Sequence, residues 1–570
     1  MTQLLDALLQ EGQITPSQAQ AAERRLRRTG QSPEEAVLSL ELCPQEALYA
    51  LLSRLSGIPL APTDGLTPSP EALAKVPQEL AARYKALPLS LQEGLLQMAF
   101  SHPPAPNTLE QLHLMLGVPC QPFLAPPALL DKARKKAYGL GAEKIQKIRT
   151  RLQVAAPTPP PEKNPPIPPP ASTPQEDSSV AGLVDDILAA AFDARATDIH
   201  LEPFAEQIKL RFRVDGLLQD VPVPQGMKSL GEAILSRIKV LAKMDIAERR
   251  LPQDGRLQIP RNGSFWDIRV STLPTRYGET LCLRLLNAEA LLKDMGALGL
   301  SAAHLEKVRR QMSRPSGLVL VTGPTGSGKT TTLYSMLTHL MACRKDLKLI
   351  TVEDPVEYDI PGLTQVQTHG EIGLTFSAAL RSILRHDPDV ILVGEIRDRE
   401  TAEIAIQAAM TGHLVLSTLH TSDAVGAINR LINMGAEPDL VASSLRMVIA
   451  QRLVRRLCPH CSLPDRQIPP QDARELAACA EALGHSAPPA PRRAAPQGCP
   501  HCQGTGYLGR IGVYELLEVQ EKLEDLISAR TPNSLLREEA RREGWTPYRQ
   551  DALEKVLLGL TDLAEVHRCC

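Results

Sequence analysis

The residues with the clearest chemical meaning form a glycine-rich segment between a predicted strand and a predicted helix. In the pattern G-x-x-x-x-G-K-[ST], glycines let backbone N–H groups turn toward a phosphate, the lysine reaches the β- and γ-phosphates, and the final hydroxyl binds Mg²⁺. A chance glycine-rich turn is the alternative, but a strand, a lysine and a threonine all accompany the glycines. The sequence therefore predicts a nucleoside triphosphate site, with Thr330 as a magnesium ligand, made of Gly323, Pro324, Thr325, Gly326, Ser327, Gly328, Lys329, Thr330 and Thr331.

Two acidic segments follow the next predicted strands. Glu353 and Glu357 come at and after the strand at 347–353, and Glu395 follows the strand at 390–393. Carboxylates at the carboxyl edge of a parallel sheet lie where ligands bind, and they can coordinate Mg²⁺ or place a water in line with the γ-phosphorus. Any single acid could instead cap a helix. Because Gly394 stands where a common Walker B strand carries Asp, we assign that role to Glu395.

A pair of histidines flanks a further apolar strand. His413 precedes and His420 follows the segment 414–418. A lone histidine there would most often be structural, whereas two beside a phosphate loop predict sensors of the γ-phosphate.

Four cysteines have the spacing of a metal site. Cys458-Pro-His-Cys461 and Cys499-Pro-His-Cys502 are identical C-x-x-C knuckles. Four thiolates in this arrangement suit a closed, tetrahedral, structural Zn²⁺ site. His460 and His501 are competing ligands. Two unrelated disulfides or free thiols are the alternative, which a reducing compartment disfavours.

The strands and helices that must position these groups are predicted to form an α/β domain with a parallel sheet. Near-continuous apolar strands alternate with helical stretches between residues 296 and 450, as a sheet covered on both faces requires. The chain has 570 residues with 63 basic and 65 acidic side chains, so a general polyanion-binding role is disfavoured. Aromatic residues, at 3%, are too few for a base-stacking nucleic-acid platform. No apolar run of about 18 residues and no signal-peptide pattern occurs, so we expect a cytoplasmic protein.

Together these motifs resemble the secretion ATPase superfamily that powers type II secretion and type IV pilus assembly (the GspE/PulE/PilB type). The resemblance covers residues 180–570 strongly. The segments that carry it are the phosphate loop at 323–330, the acidic boxes at 353–358 and 387–398, the histidine box at 411–424, and the upstream motifs at 198–203, 211–216 and 269–274.

The resemblance implies a hexameric motor in which Glu357 positions or activates the lytic water and Glu395 lies near Mg²⁺. It also implies γ-phosphate sensing by His413 and His420. Arginines of a neighbouring domain close the site in this family, and Arg269, Arg276 and Arg284 are the candidates, with structural salt bridges as the alternative. Implied cofactors are ATP, Mg²⁺ and Zn²⁺.

We therefore expect a multidomain α/β protein with a RecA-like P-loop NTPase core. Its partners would be five further copies of itself and the inner-membrane platform and docking proteins of a pilus or secretion apparatus. These partners would hold it at the periphery of that membrane. We expect no direct contact with nucleic acid. The predicted segments are a helical N-terminal docking or regulatory domain at 1–153, a proline-rich linker at 154–179, an α+β (PAS-like) domain at 180–295, the core at 296–457, a Cys₄ zinc module at 458–510 and a C-terminal helical domain at 511–570.

Three alternatives remain open at this level. A DNA-uptake motor has the same fold, and a regulatory subunit could bind nucleotide without turnover. In some relatives the N-terminal domain binds cyclic di-GMP; Gly12-Gln-Ile14 and Arg28-Thr-Gly30 resemble that motif, but Glu41 occupies an expected glycine. A plain docking domain is the alternative there.

Overall fold

The computed structural model describes residues 3–29, 32–40, 42–62, 66–139, 175–224, 226–261, 264–286, 293–483 and 490–570. The chain divides into two compact units, one of residues 1–258 with 268–285 and the other of residues 259–267 with 286–570. Within the described ranges, none of the helices combines the length and apolar character that crossing a bilayer requires.

The first part of the first unit combines helices with a small sheet. The capping box between Ser32 and Glu35 begins α3, and Gly57 ends α4 in the left-handed conformation, as the glycine at that position predicts. The sheet order is β1-β2-β3. The elements are α1 (Gln3–Gln10), α2 (Pro16–Thr29), α3 (Pro33–Ser39), α4 (Gln45–Ser56), α5 (Pro70–Lys75), α6 (Gln78–Arg83), β1 (Ala86–Gln92), β2 (Leu95–Phe100), α7 (Pro106–Leu116), β3 (Cys120–Leu124) and α8 (Pro127–Tyr138).

The expectation of a helical domain at 1–153 needs a correction, because residues 86–124 contain this three-stranded sheet. Glu93 and Gly94 both have positive φ between β1 and β2, a turn geometry that joins antiparallel strands with the right twist. Pro88 also disfavours a helix there. The helical prediction rested on the spacing of Leu4, Leu5, Leu8 and Leu9, and short apolar runs such as those at 86–100 are ambiguous between helix and strand.

The remaining part of the first unit is an α+β arrangement whose six-stranded sheet has the order β6-β5-β4-β9-β8-β7. The sequence predicts strands at 207–214, 255–259, 266–271 and 280–286, which correspond to β5, β7, β8 and β9, whereas β4 and β6 were not predicted. The elements are α9 (Gln175–Asp193), β4 (Ala196–Pro203), β5 (Ile208–Val214), β6 (Leu217–Val221), α10 (Met227–Leu241), β7 (Gln253–Arg261), β8 (Ser264–Thr275) and β9 (Gly278–Leu286).

The second unit is built on a seven-stranded sheet with the order β12-β11-β13-β14-β10-β15-β18. All pairs are parallel except β15 with β18. Its strands are β10 (Gly317–Thr322), β11 (Leu349–Glu353), β12 (Thr364–Gln367), β13 (Val390–Val393), β14 (Leu414–Leu419), β15 (Leu445–Leu457) and β18 (Tyr507–Glu518), with β16 (Leu463–Pro464) and β17 (Arg492–Arg493) forming a separate pair.

Helices cover both faces of this sheet, so successive side chains of each central strand enter opposite cores. Leu318 and Leu320 of β10 belong to one buried cluster, whereas Val319 and Val321 belong to the other. The four core strands predicted from the sequence are thus confirmed within two residues at each end. The helices are α11 (Ala302–Met312), α12 (Lys329–Cys343), α13 (Phe376–Ile383), α14 (Arg399–Met410), α15 (Ala424–Asn433), α16 (Pro438–Ser444), α17 (Pro470–Ala482), α18 (Glu521–Ser528), α19 (Asn533–Arg542), α20 (Tyr548–Leu557) and α21 (Leu563–Cys569).

Three expected boundaries fall inside elements. The limit at 179/180 lies within α9, and the limit at 295/296 lies within a short 3-10 helix at Met295–Leu298. The limit drawn at 510/511, between the zinc module and the C-terminal helices, lies within β18, which pairs with β15 at the edge of the main sheet. The C-terminal segment therefore begins as a strand of the motor sheet, and its helices α18 to α21 follow.

The central strands should carry most of the stability of the second unit. Ile391 of β13 is fully buried, so we expect Ile391→Ala to lower the free energy of unfolding by about 2–5 kcal/mol. Urea unfolding can be followed by Trp545, which packs in the same cluster, in a Trp266→Phe background that leaves one tryptophan. Leu558→Ala, at a position that is 60% exposed, should change the midpoint little. Equal effects of the two substitutions would contradict this packing.

Candidate active site

The phosphate loop leaves the carboxyl end of β10 with a backbone that only glycine adopts easily. Gly323, Gly326 and Gly328 have φ values of 145°, 79° and 88°. A Cβ at Gly323 would lie 2.4 Å from the carbonyl oxygen of Gln451 on the neighbouring strand β15, so this position also lacks space for a side chain. Helix α12 begins at Lys329 immediately after the loop, and its N-terminus faces the turn.

The lysine of the loop folds back over the loop backbone. Lys329 Nζ donates to the carbonyl oxygens of Gly323 at 2.9 Å and Pro324 at 3.2 Å. Burial lowers the pKa of Lys329, and the negative charge of Glu395 opposes that shift. The ammonium group is therefore already placed where a phosphate oxygen could replace the two carbonyls.

The structure brings Glu395 and His420 together beside this lysine. Glu395 follows β13 and its side chain is mostly buried. Its Oε1 accepts a charge-assisted bond from Arg397 at 2.5 Å, and its Oε2 lies 3.4 Å from His420 Nε2. His420 follows β14, the strand between β13 and β10, which explains why these loops meet at one edge.

Glu357 lies on the segment between β11 and β12 and is half-buried. Two glutamines of the edge strand β12 hold this segment. Gln365 donates to the carbonyl oxygen of Tyr358 at 3.0 Å and accepts from the Ile360 N–H at 2.7 Å. Gln367 accepts from the Val356 N–H at 3.3 Å.

Glu353, which ends β11, is engaged differently. Its Oε2 accepts from the Tyr334 hydroxyl at 2.5 Å and its Oε1 accepts from the Thr351 hydroxyl at 2.6 Å. Burial and the adjacent Glu353 raise the pKa of Tyr334 well above its usual range. This buried carboxylate therefore links the end of β11 to helix α12, which Tyr334 belongs to.

His413 does not join this group. It precedes β14, and its carbonyl accepts from Gly317 at the start of β10 at 3.1 Å, whereas the phosphate loop follows the other end of β10. The six residues of β10 separate the two edges by about 20 Å. The His413 ring lies 3.0 Å from the Ala408 carbonyl oxygen. The expectation of two histidines at one phosphate is thus corrected, because opposite ends of a strand lie at opposite edges of the sheet.

The three candidate arginines all belong to the first compact unit. Arg284 donates to Asp198 at 3.1 Å and is 59% exposed, and the Arg276 guanidinium lies 5.6 Å from the ring centre of Tyr277. Arg269 lies on β8 and is half-buried.

Sequence reasoning missed two buried polar contacts that shape the site. Gln451 on β15 is 1% exposed and hydrogen-bonds to the loop, and Thr322 at the end of β10 bonds to Thr421 beyond β14 at 2.7 Å. The available signal was a polar residue inside an otherwise apolar strand, since a buried amide or hydroxyl must find a partner.

A further buried acid supports the loop that follows β14. Glu515 of β18 is 1% exposed, and its Oε1 accepts from the Ala424 N–H at 2.8 Å, at the start of α15. Burial raises the pKa of Glu515 to about 7; the nearby Asp423 adds to this shift and the Ala424 N–H opposes it.

The four predicted zinc ligands converge in space. Their Sγ atoms all lie within 4.8 Å of one another, with Cys458–Cys499 at 3.7 Å and Cys461–Cys502 at 3.8 Å. Four sulfurs at about 2.3 Å from one Zn²⁺ in a tetrahedron are about 3.8 Å apart. These separations far exceed a disulfide bond of about 2.0 Å. The His460 and His501 rings instead stack on each other at 4.1 Å.

The backbone around one of the four sulfurs favours the thiolate form, whereas burial raises the pKa of Cys458 and Cys461. Burial alone would raise the pKa of the Cys502 thiol, but N–H groups of Cys499 and Gly506 donate to its sulfur at 3.0 and 3.2 Å and bring that pKa down to about 6. A thiolate is the form that binds zinc. The donor set therefore fits Zn²⁺.

Comparison with known proteins agrees with this geometry. Residues 173–568 match the family described as "Type II/IV secretion system protein", and residues 56–144 match the "MshEN domain". The "Type IV pilus assembly ATPase PilB" of Myxococcus xanthus is 38% identical over 98% of this chain and 97% of its own length. The "Type II secretion system protein E" of Pectobacterium carotovorum is 46% identical over 69% of this chain and 76% of its own length.

The X-ray structure of the Legionella pneumophila ATPase DotB shares the fold, with a TM-score of 0.50 and 20% identity over 71% of this chain and 97% of that chain. The predicted fold class, a RecA-like α/β core preceded by an α+β domain, is confirmed.

Glu515 should make stability depend on pH. Its folded-state pKa of about 7 lies above its ordinary value of 4.5, so between these pH values the folded protein keeps a proton that the unfolded chain has released. Stability of the wild type should therefore fall relative to Glu515→Gln as the pH rises through this window, and the difference should level off above it. Urea unfolding at several pH values, followed by Trp545, measures this. A difference that does not change with pH would contradict the burial of an ionisable group there.

Zinc content tests the cysteine cluster. Purified protein should contain one zinc per chain by elemental analysis, and Cys461→Ser should lose it because three thiolates no longer close the tetrahedron. Cys343→Ser changes an exposed cysteine outside the cluster and should keep the metal. Zinc retained by Cys461→Ser, or lost from Cys343→Ser, would contradict the assignment of these four ligands.

Proposed function

The chain belongs to the Type II/IV secretion system protein family, and on this premise we propose that it is the motor that assembles a type IV pilus. The protein is an ATP hydrolase. The observation that supports a motor site most directly is the meeting of Lys329, Glu395 and His420 at the carboxyl edge of one parallel sheet.

The site residues take the following roles in this proposal. Residues 323–331 bind the phosphates through backbone N–H groups, and Lys329 exchanges its two carbonyl partners for phosphate oxygens. Thr330 and Glu395 would hold Mg²⁺, which supplies charge neutralisation at the phosphates when bound. Arg397, now paired with Glu395, would have to release it for that purpose.

Glu357 would orient the attacking water and accept its proton, from a segment that Gln365 and Gln367 hold in place. His420 would contact the γ-phosphate from the next loop of the edge. His413 is left out of this site because it lies at the other edge of the sheet.

We further propose that the motor is a homohexamer in which Arg269, Arg276 and Arg284 act on the nucleotide of a neighbouring subunit. Arg276 and Arg284 are exposed enough to reach another chain, and a guanidinium can neutralise charge that develops on the transferred phosphoryl group. ATP binding and release would then become movement between the two compact units. The six-part division of the chain stays a prediction. Residues 154–174 of the expected linker lie outside the described residues, and α9 begins at Gln175, within the rest of it.

Pilus assembly and type II secretion are the two candidate functions of the motor, and the share of this chain that each relative matches favours pilus assembly. The pilus assembly relative matches nearly the whole chain, including residues 56–144, whereas the secretion relative matches 69% of it. Type II secretion remains the second candidate because the secretion relative is 46% identical over the part that it matches. In either case the motor would act at the cytoplasmic face of the inner membrane through platform and docking proteins.

The N-terminal domain would dock or regulate, and cyclic di-GMP is its candidate ligand. Gly12 has a φ of 69° just after α1, and Arg28 is in the last turn of α2. Gly30 and Glu41 lie outside the described residues. Titration of the full-length protein with cyclic di-GMP, with cyclic di-AMP as the control, decides between docking alone and ligand binding.

ATP turnover tests the catalytic assignment. Lys329→Ala should abolish measurable nucleotide binding, whereas Glu357→Gln should retain binding and lose about 10²–10⁴-fold in kcat, because it removes only the proton acceptor. Lys345→Ala removes an exposed lysine beyond α12 and is the matched control. Turnover that survives Lys329→Ala would overturn the assignment of this loop as the catalytic site. Binding without turnover in the wild type would favour a non-hydrolysing regulatory subunit.

The output is tested in the cell. Deletion of the gene should remove surface pili and leave secreted enzymes unchanged, and the wild-type gene but not the Glu357→Gln gene should restore pili. Loss of secretion with intact pili would select the second candidate, and loss of DNA uptake alone would select a competence motor.

A further inference from the structure

A glutamine that belongs to none of the sequence motifs contacts the phosphate loop from the neighbouring strand. Gln451 lies on β15, the parallel neighbour of β10, and its side chain is 1% exposed. Its Nε2 donates to the carbonyl oxygen of Ser327 at 2.7 Å, and its Oε1 accepts from the Thr332 hydroxyl at 2.8 Å. One amide thus connects the last turn of the loop to the first turn of α12.

Gln451 also limits the space beneath the glycines of the loop. A Cβ at Gly323 would lie 2.4 Å from the Gln451 carbonyl oxygen, and one at Gly328 would lie 3.2 Å from Gln451 Nε2. The loop therefore contacts Gln451 at its first glycine, at Ser327 and at its last glycine.

These contacts bear on catalysis because a phosphate site works through fixed N–H groups. If the Ser327 carbonyl is held, the peptide units around it cannot rotate, and their N–H groups stay directed at the phosphate position. A loop without these hydrogen bonds would have to become ordered each time nucleotide binds, and the free-energy cost of that ordering would lower the affinity for nucleotide.

We propose that Gln451 is a positioning residue for the phosphates of ATP, acting through the loop without touching the nucleotide. This inference rests on the proposed hydrolysis of ATP at this loop. Loss of the two Gln451 hydrogen bonds weakens the binding of the substrate and of the transition state equally. It therefore raises KM and leaves kcat nearly unaltered.

The test is a steady-state comparison of ATP hydrolysis by full-length variants. Gln451→Met keeps the length of the side chain and removes both hydrogen bonds, so KM for ATP should rise roughly 5- to 50-fold, with kcat within about threefold of wild type. Gln451→Glu keeps an acceptor for Thr332 but places a carboxylate oxygen against the Ser327 carbonyl, so it should not restore KM. Thr332→Val removes one of the two bonds and should give a smaller rise.

The matched control is Gln311→Met. Gln311 is a glutamine of the same unit that is 5% exposed and donates to Glu518 at 2.8 Å, away from the loop. It should lower thermal stability without changing KM. If Gln451→Met does not fold, Thr332→Val decides alone.

Each outcome is distinct. An unchanged KM in Gln451→Met, or in Thr332→Val when that variant decides, refutes the positioning role, as does an equal rise in Gln311→Met. A rise in KM confined to the Gln451 and Thr332 variants supports it. A wild-type protein that does not hydrolyse ATP refutes the proposed function instead.

Discussion

The closeness of the phosphate loop to strand β15 is the constraint on which the site depends. At Gly323 the loop backbone passes so near the Gln451 carbonyl oxygen that one added methyl group would collide with it. The loop can take this path only because β10 and β15 are parallel neighbours in register, with Thr322 opposite Ala450. The anion-binding geometry is therefore a property of two paired strands as much as of the glycine-rich sequence.

The same edge of the sheet gathers the other groups by buried polar contacts. Thr322 ties the end of β10 to Thr421 beyond β14, next to His420. Glu353 ties the end of β11 to Tyr334 on the helix that follows the loop. Such contacts are strong in a low-dielectric interior and costly when a partner is missing, so they fix the relative positions of loops that have few apolar contacts.

The sequence predicted the core of this arrangement because its signals are local. The phosphate loop, the acid after β13 and the two cysteine knuckles each depend on spacing within a few residues, and the apolar strands identified the sheet. His413 was wrongly grouped with His420, although in the predicted parallel sheet a residue that precedes a strand and one that follows it lie at opposite edges. Gln451 escaped notice because its role requires β15 to lie beside β10, a pairing that no local pattern encodes. The small N-terminal sheet was missed because its short strands lack a distinct period.

Strand β15 is also the segment that leads directly from the phosphate loop to the first cysteine knuckle. Gln451 faces the loop, and Cys458 follows the last residue of the same strand. Because side chains alternate along a strand, inserting or deleting one residue between them would turn one of the two away from its partners. We therefore expect an engineered chimera that changes the chain length between these positions to lose one of the two contacts. Between the two knuckles the chain must return to Cys499 and also keep Leu476, Cys479 and Ala480 of α17 in the core that they share with α20 and α21, so changes of length there are confined to the segments on either side of that helix.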